Sequence, residues 1–315
     1  MERIKGLNEY VKNEKYRKAL NLPNEQEEEY TMLAQGEYNI NYSFTHPKTG
    51  KKLLLRVNCG SQMHLENQIG YECHALQLLE ASGRTPKVLY VDGSKKILEH
   101  GVLVMEYLPG HAMDYHTELM LAAPCLADIH SVPIPESEEI LIHPQNPLKA
   151  ILEECEEMFK VYLDSPLGDG KKKTYIRELL DLGWKREAEI QLESGYQCCI
   201  NTELNSTNLL INGEEKSNYL IDWEKPLFGN PAQDLGHFLA PTTTFWKTDV
   251  ILTSEEIEKF IDAYIKAVGN RFKTDMIREH THAFIPITCL RGITWCAMAW
   301  VQYQQPDKLI FNEST

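Results

Sequence analysis

Positive charge is in short supply in this 315-residue chain. It carries 32 Lys+Arg against 46 Asp+Glu, a formal net charge of −14 at pH 7. Nucleic-acid binding driven by a basic surface is therefore excluded, because an acidic surface repels a phosphate backbone. Uninterrupted apolar runs are missing too. The most apolar long stretch, Ala283 to Tyr303, is broken by Arg291 and several polar residues, and reads as a buried helix rather than a membrane span. The start, Met1-Glu2-Arg3-Ile4-Lys5, lacks the apolar core of a secretory leader. The eight cysteines form no Cys-x-x-Cys pair. They read as reduced, mostly buried thiols of a cytoplasmic protein, not as a disulfide framework. No Gly-x-Ser-x-Gly elbow, His-Glu-x-x-His or Gly-x-x-x-x-Gly-Lys-Ser/Thr loop occurs, so the hydrolase and P-loop readings find no motif to rest on.

What is present is an ordinary globular composition, 43% hydrophobic and 25% charged, in a chain long enough for two lobes. The charge is uneven. Residues 1–110 hold 14 basic and 14 acidic side chains, while residues 111–315 hold 18 and 32, so the second part carries the whole excess. That field keeps a protein soluble and also attracts a cationic small molecule. The pattern changes along the same divide. Residues 1–29 are polar and read as a surface helical extension. Tyr38, Ile40, Tyr42 and Phe44 alternate with polar residues, the period-two mark of a strand, and Lys51 to Asn58 reads as its hairpin partner across His46-Pro47-Lys48-Thr49-Gly50. Asn67 to Ala81 reads as a helix stopped by Gly83 and Pro86, and two more strands follow at Val88–Val91 and Gly101–Met105. Past Leu108-Pro109-Gly110 the chain turns helical: Leu119–His130, Pro147–Tyr162, Thr174–Ser194, Ser254–Val268 and Ile277–Tyr303. Lys171-Lys172-Lys173 reads as an exposed loop. The expected organisation is a helical extension over 1–29, a small sheet lobe over 30–107 and a larger helical lobe over 108–315.

Two neighbouring segments carry the chemistry. Asn201-Thr202-Glu203-Leu204-Asn205-Ser206-Thr207-Asn208 is followed by Leu220-Ile221-Asp222-Trp223-Glu224 and then Pro231-Ala232-Gln233-Asp234-Leu235. Glu203, Asn208 and Asp222 place one amide and two carboxylates about a tight return, the hard oxygen donors that Mg²⁺ prefers. This order resembles the catalytic core of the aminoglycoside phosphotransferase and choline kinase family, small-molecule kinases with a protein-kinase-like fold, over roughly Tyr30 to Tyr303. The resemblance implies a bilobal α+β fold, with a small antiparallel-sheet N-terminal lobe bearing one helix and a larger, mainly helical C-terminal lobe. It also implies ATP and Mg²⁺ as cofactors and a small-molecule hydroxyl as acceptor. Gly36 and Asn39 fall in the resembled nucleotide loop, and Arg56 stands where kinases place a phosphate-binding Lys, with Glu72 as its ion-pair partner. Backbone groups at Glu106 and Leu108 fall at the lobe hinge, where adenine would be held. Asn208 and Asp222 match the metal ligands, Asp234 matches a residue bracing the catalytic loop, and His130 reads as structural.

The sequence departs from that pattern at one place. The family shows His-x-Asp before the spacer, and this chain shows Asn201-Thr202-Glu203. The acid is one methylene longer, about 1.5 Å of reach, and a misplacement of about 1 Å can cost on the order of 100-fold in rate. Glu203 therefore serves as the catalytic carboxylate only if its loop is withdrawn to compensate. The alternative is a catalytically impaired pseudokinase that binds nucleotide. On the acceptor side, Glu224, Trp246, Trp295 and Trp300 are candidate substrate contacts. Trp295 and Trp300 lie about 140° apart on an ideal helix and share no face. The C-terminal aromatic segment resembles that of choline kinases, whose rings hold a quaternary ammonium. With the acidic second part, this points to an amine-bearing acceptor of aminoglycoside, choline or amino-sugar type. No membrane or nucleic-acid partner is expected, and the chain is read as a monomer or homodimer.

Overall fold

The computed structural model describes residues 4–24, 27–190, 192, 195–246 and 248–304. The readings of Met1 to Arg3, of part of the Glu25–Glu29 run and of the tail beyond residue 304 lie outside these. Two short helices open the chain, α1 (Leu7–Tyr10) and α2 (Glu14–Ala19). Five strands follow, β1 (Thr31–Gln35), β2 (Asn39–Thr45), β3 (Lys52–Asn58), β4 (Val88–Asp92) and β5 (Gly101–Glu106), with α3 (Gln68–Leu79) between β3 and β4. They form one antiparallel sheet in the order β1-β2-β3-β5-β4.

Strand parity sorts the two faces of this sheet. Leu53, Leu55 and Val57 of β3, with Val102 and Val104 of β5, pack under α1 and α2 against Leu7, Tyr10, Tyr16 and Leu20. Leu103 and Met105 point the other way, onto Ile69, Leu76 and Leu79 around α3. Arg56, between Leu55 and Val57, is turned to the α3 side by the same period-two rule. The first helices are thus not a surface element. Tyr10 and Tyr16 are almost wholly buried, and the Tyr10 hydroxyl reaches Asp92 Oδ2 at 2.9 Å. The apolar residues that anchor them are spaced among charged ones, so the stretch reads as polar although one face is covered.

The rest is mainly helical: β6 (His111–Ala112), α4 (Tyr115–His130), α5 (Pro147–Asp164), α6 (Gly170–Glu189), β7 (Cys198–Ile200), β8 (Leu209–Ile211), β9 (Tyr219–Leu220), β10 (Leu227–Gly229), α7 (Pro231–Leu239), α8 (Pro241–Thr244), α9 (Ser254–Val268) and α10 (Ile277–Tyr303). The basic triplet Lys171–Lys173 lies in the first turn of α6, not in a loop. Asp169 caps that helix by accepting from the Lys172 N–H at 3.0 Å. α10 is long and apolar enough to cross a membrane by length and composition alone. Here it packs against α5, α6, α7 and α8. The small pairs β7–β10 and β8–β9 carry the loop and strand ends that face the sheet lobe.

Candidate active site

The loop after β7 is held in a costly shape. Thr202 has φ 67° and Asp222 has φ 66°, the left-handed region that a β-branched residue rarely enters. Asp234, at the start of α7 and fully buried, supplies the restraint. Its Oδ2 accepts from the Asn201 N–H at 2.8 Å and its Oδ1 from the Thr202 N–H at 2.7 Å. The Thr202 hydroxyl donates to Lys225 O at 2.7 Å. His130 stands behind, with Nε2 3.1 Å from Asp234 Oδ2 and Nδ1 2.8 Å from the Tyr264 hydroxyl. It is wholly buried, in keeping with a structural residue.

Asn201 does the tying from inside the loop. Its Nδ2 donates to Asp222 O at 2.9 Å, and its Oδ1 accepts from the Glu203 N–H at 3.1 Å. Asn208 closes the knot, its Nδ2 donating to Glu203 O at 3.3 Å and its carbonyl accepting from Ile221 N–H at 2.9 Å. Asn208 is thus bonded directly to Glu203, and Asp222 is tied to them through Asn201 and the neighbouring Ile221 N–H. The shorter reach of Asn201 replaces the histidine of the resembled pattern without opening the loop.

The sheet lobe meets this knot through Arg56. The guanidinium is buried and ion-paired to Glu72 Oε1 through Nη1, while Nη2 lies 3.1 Å from Asp222 Oδ1 and Nε donates to Asn41 Oδ1 at 3.0 Å. Burial and the nearby Asp222 push the Glu72 carboxyl up to about 7 against the pull of Arg56, and its Oε2 has no hydrogen-bond partner among the described residues. Glu224 is pushed up to about 8 by burial, then by repulsion from Asp222, Glu203 and Glu72, with Arg56 opposing. Asn39 donates from Nδ2 to Glu224 and accepts on Oδ1 from Asn58 at 2.9 Å, so its side chain joins the two lobes. Gln68 makes a second joint, Nε2 to Glu224 O at 2.6 Å.

The other expected positions lie around this centre. Gly36 sits in the β1–β2 turn with its N–H on Asn39 O at 2.8 Å. A Cβ there would meet that oxygen at 3.8 Å, an ordinary contact, so the backbone does not by itself demand glycine. Glu106 ends β5 with its N–H spent on Lys87 O at 3.0 Å, and Leu108 follows in the crossing to β6. The three tryptophans are not gathered at Glu203. Trp246 and Trp295 meet edge to face at 5.1 Å, while Trp300 pairs with Tyr162 at 6.2 Å.

A small cleft of about 90 Å³ opens beside Thr202, between α5, α7 and α10. Its charged lining was missed in the sequence. Arg291 of α10 forks onto Glu154 of α5, Nε to Oε2 at 2.9 Å and Nη2 to Oε1 at 3.1 Å, and Nη2 also lies 3.3 Å from Glu203 Oε1. Lys225 Nζ reaches Glu154 Oε1 at 3.0 Å. Burial works to raise the Glu154 carboxyl, but Arg291 and Lys225 hold it down to about 2. His237, in the same wall, is lowered to about 3 by burial and by those two cations, and so stays neutral. The three tryptophans stand outside this lining.

As a cation site, the Asn208, Asp222 and Glu224 oxygens have the right chemistry for Mg²⁺, and they lie where negative charge is concentrated and poorly answered. Among the described residues no three His, Cys, Asp or Glu side chains form a cage of their own. Phosphate and water oxygens would therefore have to complete the shell, as Mg²⁺ at nucleotide sites commonly requires.

The model of the phosphotransferase enzyme family (APH) matches residues 29–279. No curated protein sequence matches. Among solved structures, an ethanolamine kinase from Plasmodium vivax is similar at TM-score 0.63 and 18% identity, covering 97% of this chain and 88% of that one. A choline kinase from Cryptosporidium parvum is similar at TM-score 0.61 and 14% identity, covering 95% and 87%. An amicoumacin kinase in complex with AMP-PNP and Ca²⁺ is similar at TM-score 0.62 and 14% identity, covering 98% and 92%. At these identities the likeness is one of fold: a kinase-like arrangement of a sheet lobe on a helical lobe.

Proposed function

The chain belongs to the APH phosphotransferase enzyme family, and from that premise we propose that it is an ATP-dependent kinase acting on a hydroxyl of a small molecule. The observation that carries this reading is the convergence of Glu203, Asn208 and Asp222 in one hydrogen-bonded knot facing Arg56. Arg56 lies ready to answer phosphate charge with a planar fork. Glu72, on α3 of the same lobe, keeps Arg56 in place opposite Asp222. Backbone groups near Glu106 and Leu108 would take adenine, and Gly36 would lie over the phosphates. Asn208 and Asp222 would hold Mg²⁺, with Glu224 beside them; the ion would offset charge on the transferred phosphoryl group. Glu203 orients the acceptor hydroxyl and takes its proton. In a loose transition state the hydroxyl loses that proton late, so orientation matters more than basicity. A carboxylate paired with Arg291 is therefore suited to the task.

The acceptor is read more broadly than the sequence suggested. In the cleft by Glu203 two cations, Lys225 and Arg291, face two carboxylates, Glu154 and Glu203. The tryptophans lie elsewhere. The geometry thus supports a hydroxyl-bearing small molecule and lends no support of its own to an amine on it.

The test is a thermal shift with Mg·ATP, followed by ADP release over a panel of amino alcohols, sugars and polyols. Stabilisation by Mg·ATP and turnover with at least one acceptor are expected, and Asp222→Asn should remove both Mg²⁺-dependent effects while leaving the protein folded. Nucleotide binding with no turnover on any acceptor, or an Asp222→Asn protein as active as wild type, would refute the reading.

A further inference from the structure

Glu203 is one methylene longer than the acid of the pattern it resembles. The geometry points to the device that accommodates it: we propose that Arg291 is the positioning residue that holds the Glu203 carboxylate in place, with Glu154 and Lys225 fixing Arg291 in turn. This deepens the kinase reading and rests on it.

Three observations carry the proposal. First, the guanidinium is shared. Two of its nitrogens are engaged with Glu154, and Nη2 is also directed at Glu203 Oε1, 3.3 Å away. A planar fork can serve two carboxylates at fixed angles, where an ammonium would act as a single point charge. Second, the platform is rigid. Lys225 shares Glu154 Oε1 with Arg291 Nη2, at 3.0 Å. On the turn that bears Arg291, a Cβ added at Gly292 would lie 2.8 Å from Thr242 Cβ, and one added at Gly183 would lie 2.7 Å from Leu290 Cδ1. α10 is thus pressed closely against α8 on one side and α6 on the other. Third, the length matches. Shortening Glu203 by one methylene draws its carboxylate back about 1.5 Å. A contact of 3.3 Å would then open beyond ion-pair range. The longer acid and the arginine act as one unit.

The consequence is specific. Restoring aspartate, the acid usual in the resembled pattern, should damage this protein instead of improving it. Two readouts test this. In crystals grown with Mg·AMP-PNP, Glu203 should lie beside Arg291 in the wild type and leave that place in Arg291→Met. Should Arg291→Met fail to fold because Glu154 keeps Lys225 as its one remaining cation, the double variant Arg291→Met/Glu154→Gln removes that charge and gives the same comparison. In ADP release from Mg·ATP, with water or a panel acceptor, Glu203→Asp and the Arg291 variant should each lose kcat about 100-fold at unchanged KM for ATP. A structural role alone would not separate kcat from KM in this way. A Glu203 carboxylate unmoved in the variant crystal, or Glu203→Asp turnover equal to wild type, would overturn the proposal. If the wild type turns over no ATP, the kinase reading fails separately, and the crystals alone decide the positioning claim.

Discussion

Replacing Asp234 with alanine probes the restraint on which the loop depends. The carboxylate is fully buried and accepts from the Asn201 N–H at 2.8 Å, the Thr202 N–H at 2.7 Å and the His130 ring at 3.1 Å. Alanine leaves three polar groups in a space with no substitute acceptor. Each buried unsatisfied group costs about 1–3 kcal/mol, so the loss should be roughly 3–9 kcal/mol. That is a large share of the ~5–15 kcal/mol that keeps a typical protein folded. Asp234→Asn retains one acceptor oxygen but turns an NH₂ toward the other N–H, and should cost about half as much. Thr202, freed at its N–H and held only by its hydroxyl on Lys225 O, should also relax from its left-handed backbone and shift Glu203. Equilibrium urea unfolding measures the first effect, and kcat for Mg·ATP turnover at fixed pH measures the second. An Asp234→Ala protein that unfolds within ~1 kcal/mol of wild type, with unchanged kcat, would refute the reasoning.

Other outcomes follow from the same geometry. Arg56→Ala strips the cation from buried Glu72 and Asp222 and should cost about 3–5 kcal/mol in urea unfolding as well as weakening Mg·ATP binding; unaltered nucleotide affinity by calorimetry would remove Arg56 from the phosphate site. Gly36→Ala meets only an ordinary contact, so it should leave thermal stability unchanged and lower Mg·ATP affinity, and the reverse result would mark Gly36 as merely structural. His237 is kept neutral down to about 3 in the folded protein. Unfolded chains bind that proton near pH 6.5, so stability should fall as pH drops from about 6.5 toward 3. His237→Gln should flatten that part of the stability–pH curve, which unfolding at pH 7, 6, 5 and 4 would show.

Much of the site was readable along the chain because it is local. Asn208, Asp222 and Asp234 fall within a few dozen residues, and their order along the chain carried the resemblance that assigned them. Arg56 was readable through the resemblance, which sets it where kinases place a phosphate-binding Lys, and strand parity then accounts for the face it takes. Other parts were hidden by distance or by mixed composition. Arg291 and Glu154 are 137 residues apart, and nothing in either helix announces the other. The first helices read as polar because Leu7, Tyr10, Tyr16 and Leu20 are interspersed with charged residues. The lysine triplet was misplaced although Asp169, just ahead of it, carried the capping signal. The three tryptophans expected near the substrate pair with aromatic rings, Trp246 with Trp295 and Trp300 with Tyr162.

Charge shows the division most plainly. The chain's composition settles its overall acidity, the excess in its second part and the set of oxygen donors available for a cation. It cannot settle which carboxylate meets which cation, because that energy depends on separations of a few ångströms and is screened within about 8–10 Å in salt. Folding brings α5 and α10 together so that Glu154 and Glu203 are answered by Lys225 and Arg291, leaving a balanced cleft inside an acidic lobe. The same folding leaves Asp222, Glu224 and Glu72 crowded about Arg56, where burial and mutual repulsion push the Glu224 and Glu72 carboxyls up and a bound cation would relieve that repulsion.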